Sequence, residues 1–230
     1  VAICTRSKGA MIDINGINLE QTPESFDKDI SSFHVIDNMD YDVMIETTPI
    51  NIMTGQPAID HIKHAMNRGK HVITANKGPI AWAYGELKSL SRDKGVCFYH
   101  ESTVMDGIPV FNFKSETLRE CKILEIKGIL NATTNFVLNE MSKGMSYDDA
   151  VEEGRKRGFV EADPSMDLDG WDAAAKLTSL MNVFMDIEIT PTDIIRQGIS
   201  GITKEELDDA KKNNQKIKLL CHGKIQDGIP

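Results

Sequence analysis

Through the first hundred residues, short apolar runs that end in polar, turn-forming residues alternate with stretches of helical period. Val1 to Cys4 runs into the polar TRSKG of residues 5–9. YDVMIETT (41–48), GKHVITAN (69–76) and VCFYHEST (96–103) repeat that form, each with the length and bounds of a buried strand. Between them, GQPAIDHIKHAMNRG (55–69) sets Ile59, Ile62, Ala65 and Met66 on one stripe and closes on Arg68 and Gly69. IAWAYGELKSLSRDKG (80–95) does the same with Ala83, Leu87 and Leu90 and closes on Gly95. A basic residue before a terminal glycine is a helix stop signal. Strands alternating with helices of this length predict βαβ units and an α/β, doubly wound parallel sheet over residues 1–104.

After residue 104 the rhythm changes. LRECKILEIKGIL (118–130) reads as a longer strand. SYDDAVEEGRKRG (146–158) is a helix capped by Ser146, acids early and bases late, as the helix dipole favours. DGWDAAAKLTSLMNVF (169–184) is an Ala/Leu-rich helix with acid in its first turn. TPTDI predicts a turn, and TKEELDDAKKN (203–213) a short surface helix. Residues 105–230 therefore read as an α+β domain.

Composition narrows the function. With 26 basic and 35 acidic residues the chain carries a formal net charge of −9, which repels phosphate backbones and excludes nucleic acid as the expected partner. No apolar run approaches the roughly 18 residues of a membrane-spanning helix, and the first residues carry no targeting signal. Cys4, Cys97, Cys121 and Cys221 stand far apart without metal-ligand spacing, the usage of four reduced, buried thiols in a cytoplasmic protein. His61 and His64 lie three apart with no further ligand nearby, so they are expected on a solvated face. Met105, Met141, Met145, Met181 and Met185 are expected to fill core.

Ligands of open parallel sheets bind beyond the carboxyl ends of the strands. Here those ends are Thr5-Arg6-Ser7-Lys8, Thr47-Thr48-Pro49, Ala75-Asn76-Lys77 and Glu101-Ser102-Thr103, rich in the hydroxyls, amides and cations that suit phosphate and sugar. A Rossmann-like NAD site carries an acid near the end of its second strand to accept from the ribose. Arg6, Ser7 and Lys8 in that place suit a 2′-phosphate, hence NADP, although a solvated basic turn accounts for them equally well. No G-x-G-x-x-G occurs in the 230 residues; the sheet is expected to be incomplete at its amino end.

A second candidate is GFVEADPSMDLDGWDAAAK (158–176), where Glu161, Asp163, Asp167, Asp169 and Asp172 crowd together. A calcium loop fails on alignment: with Gly170 at the sixth position, the first is Ser165 and the twelfth, where a bidentate Glu belongs, is Lys176. Asp172 and Lys176, four apart, share a helix face. A surface ion pair is the plain reading, but Trp171 and Ala173 to Ala175 around the pair argue for a buried helix end.

TANKGP (74–79), HESTVMDGIPVF (100–111), KGILNATTNFVLNEM (127–141) and GFVEADPSMDLDGWDAAAKL (158–177) together resemble the homoserine dehydrogenase family. The resemblance implies NAD(P)-dependent interconversion of L-homoserine and L-aspartate 4-semialdehyde, in threonine and methionine biosynthesis. It implies that Lys77 lies near the nicotinamide and substrate, and that Lys176 is the catalytic acid/base. Glu161 and Asp172, with Asp167, are the substrate-binding acids it implies. Gly128 matches a close approach of backbone to cofactor, adding to the cofactor candidates Thr47, Thr48 and Asn76 already read at the strand ends. Glu101, Val104, Asp106 and Ile108 match a Na+ or K+ loop that ligates largely through backbone carbonyls. A homodimer is implied as well.

That chemistry is self-consistent. Hydride delivered to an aldehyde leaves an alkoxide-like oxygen that needs a proton donor at once. Lys176 is the donor type, Lys77 adds positive field, and the substrate's ammonium needs carboxylates. Without the glycine turn, and with a chain ending HGKIQDGIP, an internal fragment that binds NADP(H) poorly is expected. Two other readings remain open: an aspartate-semialdehyde dehydrogenase, which needs an activated cysteine, and a nucleotide-binding or dimerising module that has kept the fold without turnover.

Overall fold

Strand β1 (Ala2–Thr5) turns back through residues 6–8 into β2 (Gly9–Ile12), an antiparallel hairpin with Ala2 opposite Ile12. The computed structural model of the chain describes residues 1–18 and 26–226. The hairpin corrects the sequence expectation twice. Val1 to Cys4 is not a buried strand of the parallel sheet but a half-buried one in a two-stranded sheet of its own, and the turn of residues 5–9 gives way to a second strand. Gly9 is the reason: its φ is +84°, and a Cβ there would lie 1.9 Å from the carbonyl oxygen of Asp27. Only glycine lets the chain reverse so close to another backbone. Ala10 then pairs with Asp27 through both backbone hydrogen bonds, 2.9 and 2.8 Å.

The parallel sheet is built from β3 (Val43–Glu46), β4 (His71–Thr74) and β5 (Phe98–Tyr99), in that order, with Val43 opposite His71 and Val72 opposite Phe98. Two helices make the crossovers, α2 (Ala58–Asn67) and α3 (Lys77–Lys94), preceded by the short α1 (Ser32–Asn38). Ile59, Ile62, Ala65 and Met66 of α2 are buried as their spacing predicts. Ile62, Ala65 and Met66 form one core with Ile36, Val72 and Leu87. α3 breaks helical geometry at Ala83 and ends on left-handed Gly95. The period-two alternation of the strands buries Val72, Thr74 and Glu46 on one face, while Val43, Ile45, Ile73 and Tyr99 stand exposed on the other.

α4 (Ser102–Met105) and α5 (Val110–Thr117) follow, so the first compact unit runs Val1–Thr117, past the expected boundary at 104/105, and the second runs Leu118–Pro230. In the second unit, β6 (Glu125–Gly128) pairs antiparallel with β7 (Cys221–Lys224). The expected long strand over 118–130 shrinks to four residues because its partner is only that long. The helices are α6 (Ala132–Ser142), α7 (Tyr147–Lys156), α8 (Ser165–Leu168), α9 (Trp171–Met185) and α10 (Lys204–Lys212), with a 3₁₀ turn at Pro191–Asp193. Val137, Leu138, Ala150, Leu168 and Leu207 share one core; Ala173, Leu177, Met181 and Cys221 make a second.

Smaller expectations divide. Met141 and Met181 are buried, but Met105 is 37% exposed. The cysteines are free, yet only Cys221 is buried, and Cys97 and Cys121 are exposed. His61 is not on a solvated face: it is buried, its Nε2 is 2.9 Å from the Ser32 hydroxyl, and Phe33 packs on its ring.

Candidate active site

In the first unit, the carboxyl ends of β3 and β4 are tied together by a residue the sequence reading passed over. Glu46 is 3% exposed. Its Oε1 accepts from the backbone N–H of Thr48 at 2.9 Å and from the Thr48 hydroxyl, and its Oε2 accepts from Thr74 at 2.9 Å. A buried carboxylate must have its oxygens satisfied, and three neutral donors do so here. The Thr74 hydroxyl oxygen in turn accepts from Asn76 N–H at 3.0 Å. Asn76 caps α3 by accepting from Gly78 N–H at 3.0 Å and donates to the carbonyl of Thr48 at 3.1 Å. Lys77, half-buried, is the first residue of that helix. Thr47, Thr48, Asn76 and Lys77 are thus gathered at one end of the sheet. The signal for Glu46 was an acid closing an apolar run just before two threonines.

Arg6, Ser7 and Lys8 occupy the hairpin turn and are exposed; the Lys8 ammonium lies 5.7 Å from the centre of the Phe26 ring. The stretch 101–108 holds the expected cation residues. Glu101 spends its carboxylate as the cap of α5, accepting from Phe111 and Asn112 N–H at 2.8 and 2.9 Å. The Ile108 carbonyl accepts from Val110 N–H at 2.8 Å. Asp106 sits at φ 51°, ψ −113°, in a turn closed by Ile108 N–H to the Met105 carbonyl at 3.0 Å. Just before this stretch in sequence, His100 is packed by Tyr84, Phe98 and Phe111, and its Nδ1 is buried without a hydrogen-bond partner. Burial holds its pKa down to about 4. Among the described residues no group of three His, Cys, Asp or Glu side chains is placed to hold a metal.

The second unit concentrates charge. Lys176 and Asp172, one turn apart on α9, pair at 3.0 Å with the Asp172 side chain only 8% exposed. The buried helix end expected from Trp171 and the alanines is what the structure has: Ala173, Ala174 and Ala175 are buried, and the Arg196 guanidinium lies 3.6 Å from the Trp171 ring centre. Lys176 also donates to the carbonyl of Leu130 at 3.1 Å. An ammonium has three N–H donors, so one hydrogen is left beyond these two acceptors. Asn131, also passed over in the sequence, donates to Asp167 Oδ1 at 2.7 Å and Asp172 Oδ2 at 2.9 Å. Asp167, Asp172 and Lys176 are therefore brought together. Glu161 is exposed in the loop after α7. Gly128 closes β6, where a Cβ would meet nothing nearer than Leu130 Cδ2 at 3.7 Å, so neither conformation nor crowding inside the unit demands glycine. Burial pushes the Cys221 thiol pKa up, away from the thiolate that an aspartate-semialdehyde dehydrogenase would need.

Groups suited to phosphate and ribose in one unit, and a lysine among carboxylates in the other, are of the kinds a nicotinamide-dependent oxidoreductase uses. Comparison with known proteins makes this specific. The sequence pattern of the NAD-binding domain of homoserine dehydrogenase matches residues 1–101, and the homoserine dehydrogenase pattern matches residues 109–227. A homoserine dehydrogenase of Methanocaldococcus jannaschii is 41% identical over 99% of this chain and 71% of its own length. An NAD(+)-dependent homoserine dehydrogenase of Pseudomonas canavaninivorans is 36% identical over 93% of this chain and 58% of its own. Among solved structures, a homoserine dehydrogenase from Thiobacillus denitrificans superposes with a TM-score of 0.77 at 34% identity, covering 86% of this chain and 45% of that one. A hyperthermophilic archaeal homoserine dehydrogenase in complex with NADPH gives 0.71 at 28%, covering 85% and 56%. The chain belongs to the homoserine dehydrogenase family.

Proposed function

We propose that this chain interconverts L-aspartate 4-semialdehyde and L-homoserine, with residues 1–104 as the cofactor-binding domain and 105–230 as the substrate domain. The observation that carries the reading is the half-buried Lys176 ammonium, held by Asp172 and the Leu130 carbonyl with one hydrogen to spare. The bound nicotinamide supplies or accepts the hydride. Lys176 passes its remaining proton to the oxygen that becomes an alkoxide as the aldehyde is reduced, and takes one from the hydroxyl in the reverse direction. Asp172 keeps that lysine oriented. Asp167, Asp172 and Glu161 are the acids for the substrate's ammonium, and Lys77 adds positive field at the reacting carbonyl.

Thr47, Thr48, Asn76 and Lys77 fit a phosphate- and sugar-bearing cofactor, because the one carboxylate among them, Glu46, is buried and committed to Thr48 and Thr74. Arg6, Ser7 and Lys8 favour NADP over NAD through the charge of a 2′-phosphate, and Gly128 leaves room for a close approach. The carbonyls of Glu101, Val104, Asp106 and Ile108 are proposed to hold Na+ or K+, with Glu101 acting through its backbone since its carboxylate caps α5. A homodimer and a cytoplasmic setting complete the reading. Among the described residues no helix is long and apolar enough to cross a membrane.

The test is NADPH-coupled reduction of L-aspartate 4-semialdehyde. Lys176→Ala should lower kcat by about 10³-fold, within the range for loss of a general acid, while NADPH affinity stays within about twofold. Reduction that persists in the variant removes Lys176 from the role; NADPH binding without turnover in the parent chain favours the non-catalytic module instead.

A further inference from the structure

We propose that Asn131 is a positioning residue that sets the two substrate acids, Asp167 and Asp172, through its side-chain amide, an inference that rests on the reading just given. Asn131 is 4% exposed and stands at the start of α6. Its carbonyl oxygen accepts from Thr134 N–H at 2.8 Å and from the Thr134 hydroxyl at 2.9 Å. Because a backbone N–H must donate, the oxygen faces Thr134 and the NH₂ is forced toward the acids. Its two hydrogens then serve one carboxylate each, Asp167 Oδ1 at 2.7 Å and Asp172 Oδ2 at 2.9 Å, 36 and 41 residues away. The preceding residue, Leu130, receives Lys176. Two adjacent residues of one loop thus hold the lysine and both carboxylates.

The choice of amide matters chemically. Two carboxylates sharing a small space repel, and a neutral double donor holds them together without cancelling their charge. With Lys176 the cluster keeps a net negative charge, as a site for an ammonium group must. An arginine or lysine at 131 would hold the acids equally well and abolish the attraction for the substrate. An alanine would release them.

Asn131→Ser separates this role from helix capping, since serine is as good an N-cap but too short to span both acids. The whole chain carrying Asn131→Ser should keep its thermal midpoint within a few degrees. Its KM for L-homoserine should rise about tenfold, the effect of one lost hydrogen bond to a charged group, with the KM for NADP unchanged within about twofold. The side-chain carboxyl carbons of Asp167 and Asp172, followed by NMR at neutral pH, should both change chemical shift once their shared donor is gone. Asn131→Asp also retains the cap and should move both carboxyl signals as well, since it too lacks the NH₂ donor that the two acids share. KM values for homoserine and NADP that move together, or carboxyl carbon signals that stay at the parent positions in both variants, overturn the proposal. If the parent chain does not oxidise homoserine, it is the proposed activity that fails, and the carboxyl carbon signals still decide the role of Asn131.

Discussion

Asn76 and Asn131 begin helices in the two units with the same device, and what each amide does with its spare hydrogens separates the units. Both accept a backbone N–H two or three residues on, as N-caps do. Asn76 donates to a neutral partner, the Thr48 carbonyl, and beside it the buried carboxylate of Glu46 is satisfied entirely by hydroxyl and amide donors. Asn131 donates to two carboxylates, one of them paired with a lysine. The first arrangement locks strand ends in place and keeps negative charge away from solvent, as the proposed binding of a phosphate-bearing cofactor there would need. The second gathers charge at a buried helix end, which suits proton transfer and recognition of an ammonium group. Identical local chemistry meets a neutral carbonyl in one case and two carboxylates in the other, and the charge of what lies across from it makes the difference.

The largest effect expected on that comparison comes from Glu46→Ala. It strips three donors of their acceptor inside the first unit and should cost about 4 kcal/mol, the sum expected for several buried groups left unsatisfied. Trp82 lies in the first unit, its Nε1 donating to Ile52, and Trp171 in the second. With Trp171→Phe as background, Trp82 fluorescence in a denaturant titration reads the first unit by itself. A midpoint that does not move would mean that Glu46 is not the tie between β3 and β4.

Acid should expose the next difference. The His100 ring titrates near 4 when folded against 6.5 as a free side chain, because burial disfavours its charged form. Between those values the folded state binds fewer protons than the unfolded chain. The contribution to stability is therefore complete above about pH 6.5 and is lost as pH falls toward 4, about 3 kcal/mol in all. Trp82-monitored stability should fall across that window, and His100→Phe should flatten the His100 part of the profile. An unchanged slope in the variant would place the acid sensitivity elsewhere. The smallest effect belongs to Asp106, held at φ 51° in the turn of residues 105–108. Asp106→Gly relieves a conformation glycine tolerates and should gain about 1 kcal/mol, read as a higher midpoint of the same transition.

How much of this was legible depended on range. The α2 stripe, the Ser146 cap of α7 and the Asp172–Lys176 pair follow from spacings of four residues or fewer, where helical geometry alone fixes which side chains meet. Each is present as read. The hairpin of β1 and β2 was missed because its cause lies at Asp27, whose carbonyl leaves no room for a Cβ at residue 9. Met105 and His61 went to the wrong side of the surface for the same kind of reason: burial is decided by what packs against a residue. Glu46 and Asn131 were passed over as site residues, each standing in an ordinary strand-end or cap position whose deciding partners, Thr74 for one and Asp167 and Asp172 for the other, are 28 to 41 residues distant.

By itself, then, the order of residues determined the alternation of strand and helix in the first unit, the shift in rhythm after residue 104, and the family to which the chain belongs, since periodicity and contiguous motifs are local properties. Only the tertiary structure decided which acids share a donor, which carboxylate is spent on capping α5 and which histidine ring nitrogen is buried without a hydrogen-bond partner. Those outcomes depend on desolvation and on hydrogen bonds between distant segments, and neither exists until the chain has closed on itself.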